Sequence, residues 1–246
     1  MKLFNNDWNI ASKQIPAKSV DCIVTDPPFG VDFKNDIYED NKSWVYFQME
    51  KWLLGMYNVL KDNTCCFIYV GVKSLNLWID AAIKVGFNYK NCLATKIYDS
   101  YNYAGGNNFK FNFQPILFLV KGKAKKFNKV DFFFTSESWY NDKRNKNRQR
   151  YTYSYSSFID KDICFSNVKT NKSLKHAHNS EKNIKLIKFF IEISTSQNQT
   201  VLDPFMGSGV VGKACKLLKR EFIGCELNKN VFEQTKNNLE NYKQDN

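Results

Sequence analysis

The sequence predicts an α/β fold built on a mostly parallel sheet, and three observations carry that expectation. Buried-strand patterns alternate with amphipathic helical patterns at both ends of the chain. Near the C-terminus, "DPFMGSGVVG" leaves a strand, turns on glycines and enters a helix. Near the N-terminus, "IVTDPPFG" ends an apolar run on an acid and two prolines. Neither proline donates to a ladder and φ is locked at both, so a rigid corner must follow that strand.

The elements follow in order. Residues 2–6 read as a short strand. Residues 20–26, "VDCIVTD", are apolar, β-branched and bounded by turn residues, as in a strand buried on both faces. After Ser43, apolar residues at Val45, Met49, Trp52, Met56 and Val59 alternate in steps of four and three, which predicts an amphipathic helix. "TCCFIYV" (64–70) is a second buried strand, and 75–85 a helix stopping before Gly86. "NCLATKIY" and "PILFLVKG" read as two further strands, an antiparallel pair with Gly105 and Gly106 between them. From about Lys121 no period of 2 or 3.6 is visible; "YTYSYSSF" alone suggests a period-2 strand. Order returns at Glu181, where Ile184, Ile187 and Ile191 mark a helix. Strand 200–205, helix 210–218, strand 221–226 and helix 231–242 complete the chain, and no repeat is present.

Bulk properties narrow the function classes. A chain of 246 residues fits one large domain or a domain with a substantial insertion, and 43% hydrophobic content excludes a disordered chain. No apolar run approaches a membrane span, and the start is too short and polar for a signal peptide. The seven cysteines form no CxxC pair and mostly sit in apolar runs, so reduced core thiols in a cytoplasmic protein are expected. The net charge of +12 favours a polyanionic partner. Lysine-rich codon bias would explain scarce arginine but not its clustering: of four arginines, Arg144, Arg148 and Arg150 fall together. With Lys143 and Lys146, and flanked by Trp139, Tyr140, Tyr151, Tyr153 and Tyr155, they form the candidate nucleic-acid contact. His176 and His178 lack partner ligands at metal spacing, so no metal is expected.

Gly207 to Gly212 match G-x-G-x-x-G, and Glu226 ends the next strand nineteen positions after Gly207, where a ribose-binding acid belongs. A nucleoside cofactor follows, and NAD is the obvious candidate. Chain order argues against it, because one helix alone remains after Glu226 and a dinucleotide domain cannot be completed downstream. If the missing strands come from the N-terminal half, "DPPF" and "DPFMGSG" open onto one crevice at a switch point of the sheet.

The pair "DPPF" early and "DPFMGSG" late resembles the permuted, β-group DNA amino-methyltransferases that use S-adenosylmethionine. "LFNNDW" resembles their N-terminal segment, "HNSEKN" their HPTEKP element and "FQPILFLVKGK" the strand that closes the catalytic half. The departures are Val210 and Val211 in place of two threonines, and Asn179 and Asn183 in place of prolines. The resemblance implies a Rossmann-like class I methyltransferase fold with a seven-stranded, mostly parallel sheet, circularly permuted, with an inserted target recognition region. It divides the chain into a catalytic half (1–123), a recognition region (124–175) and a cofactor-binding half (176–246). It implies Asp26, Pro27, Pro28 and Phe29 as catalytic. Asp7, Trp8, Asp26, Ser180, Lys182, Asp203, Pro204, Phe205, Gly207, Ser208, Gly209, Glu226 and Leu227 would hold the cofactor, and Lys143, Arg144, Lys146, Arg148 and Arg150 the double-stranded DNA.

On that reading the Asp26 carboxylate and the Pro27 carbonyl accept from the two hydrogens of an exocyclic amine and free its lone pair, while Phe29 stacks on the flipped base. No cysteine follows a proline, which excludes C5-cytosine chemistry. Asp rather than Ser at the first motif position favours adenine N6 over cytosine N4. An NAD-dependent oxidoreductase and a DNA-binding protein with a decayed cofactor site are the rivals. A homodimer, and a cognate restriction endonuclease in the same system, are further partners consistent with the resemblance.

Overall fold

The computed structural model describes residues 1–30, 41–96, 113–125, 127–128, 158–159 and 182–242. Its strands are β1 (Lys2–Asn5), β2 (Val20–Thr25), β3 (Leu60–Tyr69), β4 (Asn88–Lys96), β5 (Phe113–Lys121), β6 (Phe158–Ile159), β7 (Thr200–Asp203) and β8 (Glu221–Glu226). The helices are α1 (Trp8–Ala11), α2 (Lys42–Val59), α3 (Leu75–Val85), α4 (Ile184–Ser194), α5 (Val210–Leu218) and α6 (Lys229–Asn241). Short α1 and two 3-10 turns, Ser12–Gln14 and Val72–Ser74, have too few residues to show a period and are additions to the expected set.

One sheet runs in the order β1-β8-β7-β2-β3-β5-β4-β6. All neighbours pair in parallel except β5, which is antiparallel to both β3 and β4. Seven strands form the expected sheet; the two-residue β6, from the expected recognition region, adds an eighth beside β4.

The central strands alternate between two cores. On one face Cys22, Val24, Phe67, Val120 and Val201 pack under α4, α5 and α6, where Val210, Val211 and Leu239 are buried. On the other, Ile23, Cys66, Ile68, Leu119 and Leu202 pack under α1, α2 and α3, against Trp8, Trp52 and Trp78. Full burial of one such side chain contributes about 1.5–3 kcal/mol, so each helix is held by its apolar stripe. The expected helical residues of α2, Val45, Met49, Trp52, Met56 and Val59, are all buried, and the Asn41 side chain caps it by accepting from Trp44 N–H at 3.1 Å. Helix α4 is fixed by an aromatic stack across the sheet: Phe67 of β3 lies 4.3 Å from Phe190 of α4 and 5.2 Å from Phe118 of β5, ring centroid to ring centroid.

The crossover β7–α5–β8 progresses toward one edge of the sheet and β2–α2–β3 toward the other, so the strand order reverses between β7 and β2 although the two strands are parallel. Strands β1, β8, β7, β2 and β3 are mutually parallel, and their C-terminal ends share one edge. That edge collects the residues that carry chemistry.

Candidate active site

Two motif strands far apart in sequence lie side by side here. β2 pairs with β7 through Cys22↔Val201 and Ile23↔Leu202, which brings Asp203 and Asp26 to neighbouring strand ends. The Thr25 hydroxyl donates to Asp203 Oδ1 at 2.7 Å, and Phe205 N–H donates to the same oxygen at 3.1 Å. Asp203 is 3% exposed, and burial pushes its carboxyl up to about 7 against the pull of those two donors; the charges of Asp26 and Glu226 add to the rise.

The glycine turn is braced from both sides. Gly207 N–H donates to Glu226 Oε2 at 3.1 Å and Asn228 N–H to Oε1 at 2.8 Å, so one carboxylate spans the loop after β7 and the loop after β8. Burial raises the Glu226 carboxyl above its ordinary value, opposed by those backbone donors. Thr235 of α6 donates its hydroxyl to Gly207 O at 2.6 Å. Gly209, at φ +77°, is the N-cap of α5, and a Cβ there would stand 2.6 Å from Thr235 Cγ2. Both the conformation and the close approach require glycine. Ser208 lies between these two glycines, half-buried. Val210 and Val211 are buried in the core under α5, which accounts for apolar residues at those positions.

The "DPPF" corner presents Asp26 beyond the end of β2. Its Oδ2 lies 2.8 Å from Lys182 Nζ, while Oδ1 is closed from solvent with no hydrogen-bond partner among the described residues. Burial pushes the Asp26 carboxyl up, and the Lys182 ammonium pulls it back. Pro27 is buried and Pro28 half-buried. Phe29 is backed by Gly71, where an added Cβ would stand 3.2 Å from Phe29 Cβ, and its carbonyl accepts from the Ser74 hydroxyl at 3.3 Å.

Several expected cofactor residues also have partners within the fold. Trp8 is 2% exposed and donates its indole N–H to Trp52 O at 3.1 Å, so its ring packs in the core beneath the edge. An aromatic beside a candidate acid reads alike in both roles; only packing separates them. Asp7 caps α1, its Oδ1 accepting from Asn9 N–H at 2.7 Å. The Phe205 ring meets Trp52 edge-on at 4.9 Å beside buried Pro204, and Leu227 is 61% exposed. Lys182, expected on the cofactor, has its ammonium on Asp26. Ser180 and the basic cluster Lys143, Arg144, Lys146, Arg148 and Arg150 lie outside the described residues, as does most of "YTYSYSSF".

Sequence reasoning missed Thr25, Thr235 and Tyr69. Tyr69 ends β3 beside β2, and the Lys182 ammonium lies 5.4 Å from its ring and 5.6 Å from that of Phe29. The available signal was an aromatic at the C-terminal end of a strand adjacent to the corner. A cavity of about 230 Å³ lies elsewhere, at the N-terminal ends of β2 and β7, lined by Asp21, Asn63, Cys65, Phe127 and Gln199. Asp21 there serves the fold, accepting from Lys61, Gln199 and Thr200 N–H. Among the described residues no metal-binding cluster occurs, and no helix is long and apolar enough to cross a membrane.

Known proteins share this fold. A DNA methylase family model, named for N6 and N4 methyltransferases, matches residues 20–237. The type II methyltransferase M.BamHI of Bacillus amyloliquefaciens is 28% identical over 240 residues, covering 92% of this chain and 54% of its own length. The chain thus spans about half of that relative. The DNA adenine methyltransferase YhdJ of Escherichia coli is 27% identical, covering 88% of this chain and 74% of its own. Among solved structures, the M1.HpyAVI–SAM complex superposes with a TM-score of 0.63 at 24% identity, covering 96% of this chain and 97% of that one. The cytosine-N4-specific PvuII DNA methyltransferase superposes at 0.73 with 14% identity, covering 99% and 87%, and like the former it speaks for the fold alone. A family match across nearly the whole described sheet, motif strands included, means that this chain belongs to the DNA methylase family.

Proposed function

We propose that this chain is an S-adenosylmethionine-dependent DNA methyltransferase of the restriction-modification type that modifies the N6 amine of adenine. The carrying observation is Asp26: a carboxylate with one oxygen held by a cation and the other buried without a partner among the described residues, beside an aromatic ring. A buried acceptor without a donor is costly, and an exocyclic amine is a donor that would satisfy it.

The residues at the edge suit the cofactor. Asp7, Asp26, Asp203 and Glu226 end or follow four neighbouring parallel strands. Carboxylates favour an adenosine ligand bearing hydroxyls, an ammonium and a sulfonium, and they oppose the pyrophosphate of a dinucleotide. This acidic edge supports the reading over an NAD-dependent oxidoreductase despite the literal G-x-G-x-x-G. Glu226 would take the ribose, Asp203 the ammonium and Asp7 the adenine amine. When bound, S-adenosylmethionine would supply its sulfonium methyl group: the amine nitrogen would form the new N–C bond as the S–C bond breaks, the sulfur leaving as the neutral thioether S-adenosylhomocysteine and the surplus amine proton passing to solvent. The chain contributes position and field: Asp26 Oδ1 and the Pro27 carbonyl accept from the amine, and Phe29 holds the flipped ring. The basic segment 143–150 would neutralise phosphates within a recognition region spanning 124–175. A restriction endonuclease is the expected companion activity.

A second reading, methylation of cytosine N4, is supported by the family's scope. A carboxylate accepts from either amine, so the product decides. Hydrolysing methylated DNA to nucleosides and identifying the product by mass spectrometry tests both. N6-methyladenine is expected; N4-methylcytosine alone would overturn the adenine assignment, and no methylated nucleoside would leave the non-catalytic DNA-binding protein.

A further inference from the structure

We propose that Lys182 is a positioning residue of the transfer step: its ammonium clamps Asp26 Oδ2 and thereby presents Oδ1 as the acceptor for the target amine. The proposal deepens the methyltransferase reading and rests on it. Lys182 directly precedes α4, whose start is set by Asn183, the N-cap, accepting from Lys185 N–H at 2.8 Å. The body of α4 is locked to the sheet by the Phe118–Phe67–Phe190 stack. A cation is therefore delivered to the corner from the opposite half of the chain, by the residue that leads into a helix packed on the sheet.

Three groups locate the ammonium: Asp26 Oδ2 at 2.8 Å, the Phe29 ring at 5.6 Å and the Tyr69 ring at 5.4 Å. Cation–π attraction to two rings adds to the ion pair. The side chains are 17% exposed for Lys182 and 29% for Asp26, so the pair is screened less than a surface pair would be. The other charged groups at this edge are the acids Asp203 at the end of β7, Glu226 at the end of β8 and Asp7 after β1. Burial disfavours an ionised Asp26, and Lys182 opposes that effect. A carboxylate that loses its proton and is pinned through one oxygen cannot rotate that oxygen onto the base, so the acceptor geometry is set before the amine arrives.

The test uses the full chain with Lys182→Met, Lys182→Gln and Lys182→Arg. In the absence of cofactor and DNA, the Asp26 carboxyl resonance, assigned by its loss in Asp26→Asn, is titrated by carbon-13 NMR. Its midpoint should move to higher pH in both neutral variants and stay near wild type in Lys182→Arg. In transfer assays the acid limb of kcat should move the same way, with kcat at neutral pH down about tenfold or more and partly recovered at higher pH. The calorimetric Kd for S-adenosylmethionine should change less than about threefold. An unmoved Asp26 midpoint, or a loss confined to cofactor affinity, overturns the clamp. Should the wild type transfer no methyl group, the methyltransferase reading fails while the NMR titration still decides the clamp.

Discussion

Asp203→Asn is the substitution whose consequence can be worked furthest. The carboxyl is pushed up to about 7 in the folded chain, whereas an unfolded aspartate titrates near 3.9. Between those values the folded state holds a proton that the unfolded chain has released, so this group's contribution falls as pH rises and is fully lost above about pH 7. A difference of about three pH units corresponds to about 4 kcal/mol above pH 8, and about 2 kcal/mol of it has already gone at about pH 5.5. Asparagine abolishes the titration, while its amide oxygen can still accept from Thr25 and Phe205 N–H. Any cost of the new amide N–H is the same at every pH, so the informative quantity is how the wild-type-minus-variant difference changes. Between about pH 5.5 and 8.5 the variant should gain about 2 kcal/mol on the wild type, or roughly 4–8 °C in Tm for a chain of this size. Thermal unfolding of both proteins across that window measures it. A difference that stays flat would mean that Asp203 ionises in the folded chain as it does in water. In the same series the wild type's affinity for S-adenosylmethionine should rise with pH through about 7, and the asparagine variant should show no such dependence.

The remaining predictions are simpler. Asp26→Ala should lower methyl transfer by at least about a hundredfold while calorimetry finds cofactor and DNA binding retained; undiminished turnover would sink the acceptor role. Gly209→Ala places a Cβ 2.6 Å from Thr235 Cγ2 at a positive φ, so denaturant melts should show a loss of about 1–3 kcal/mol. An unchanged midpoint would mean that the turn and α6 adjust freely. Replacing Arg144, Arg148 and Arg150 together by glutamine should reduce the salt slope of DNA binding by about two to three. A slope equal to the wild type's would move the phosphate contacts elsewhere.

Most of the fold was legible because its periods are strong. α3, α5 and β8 run over the same residues in sequence and structure, and α3 stops before Gly86, its left-handed C-cap. Short α1 and the 3-10 turns were not, because four residues or fewer cannot display a period. The sequence was enough to single out Asp26, Asp203, the glycine turn and Glu226, because a strand end followed by Pro-Pro, or by Gly-x-Gly and then an acid, has few meanings in polypeptide chemistry. It was not enough for Trp8, Tyr69 or Thr25, whose roles depend on which neighbour they meet. Trp8 lies in the core because its indole finds the Trp52 carbonyl. Thr25 matters because β2 pairs with a strand 178 residues away. Lys182 was marked by a motif, yet its partner was decided by α4 docking on the sheet, which leaves one Asp26 oxygen held and the other buried with no partner among the described residues. Local residue order sets which groups stand at strand ends; the pairing of β7 with β2, a non-local contact that no local pattern encodes, sets which of them meet.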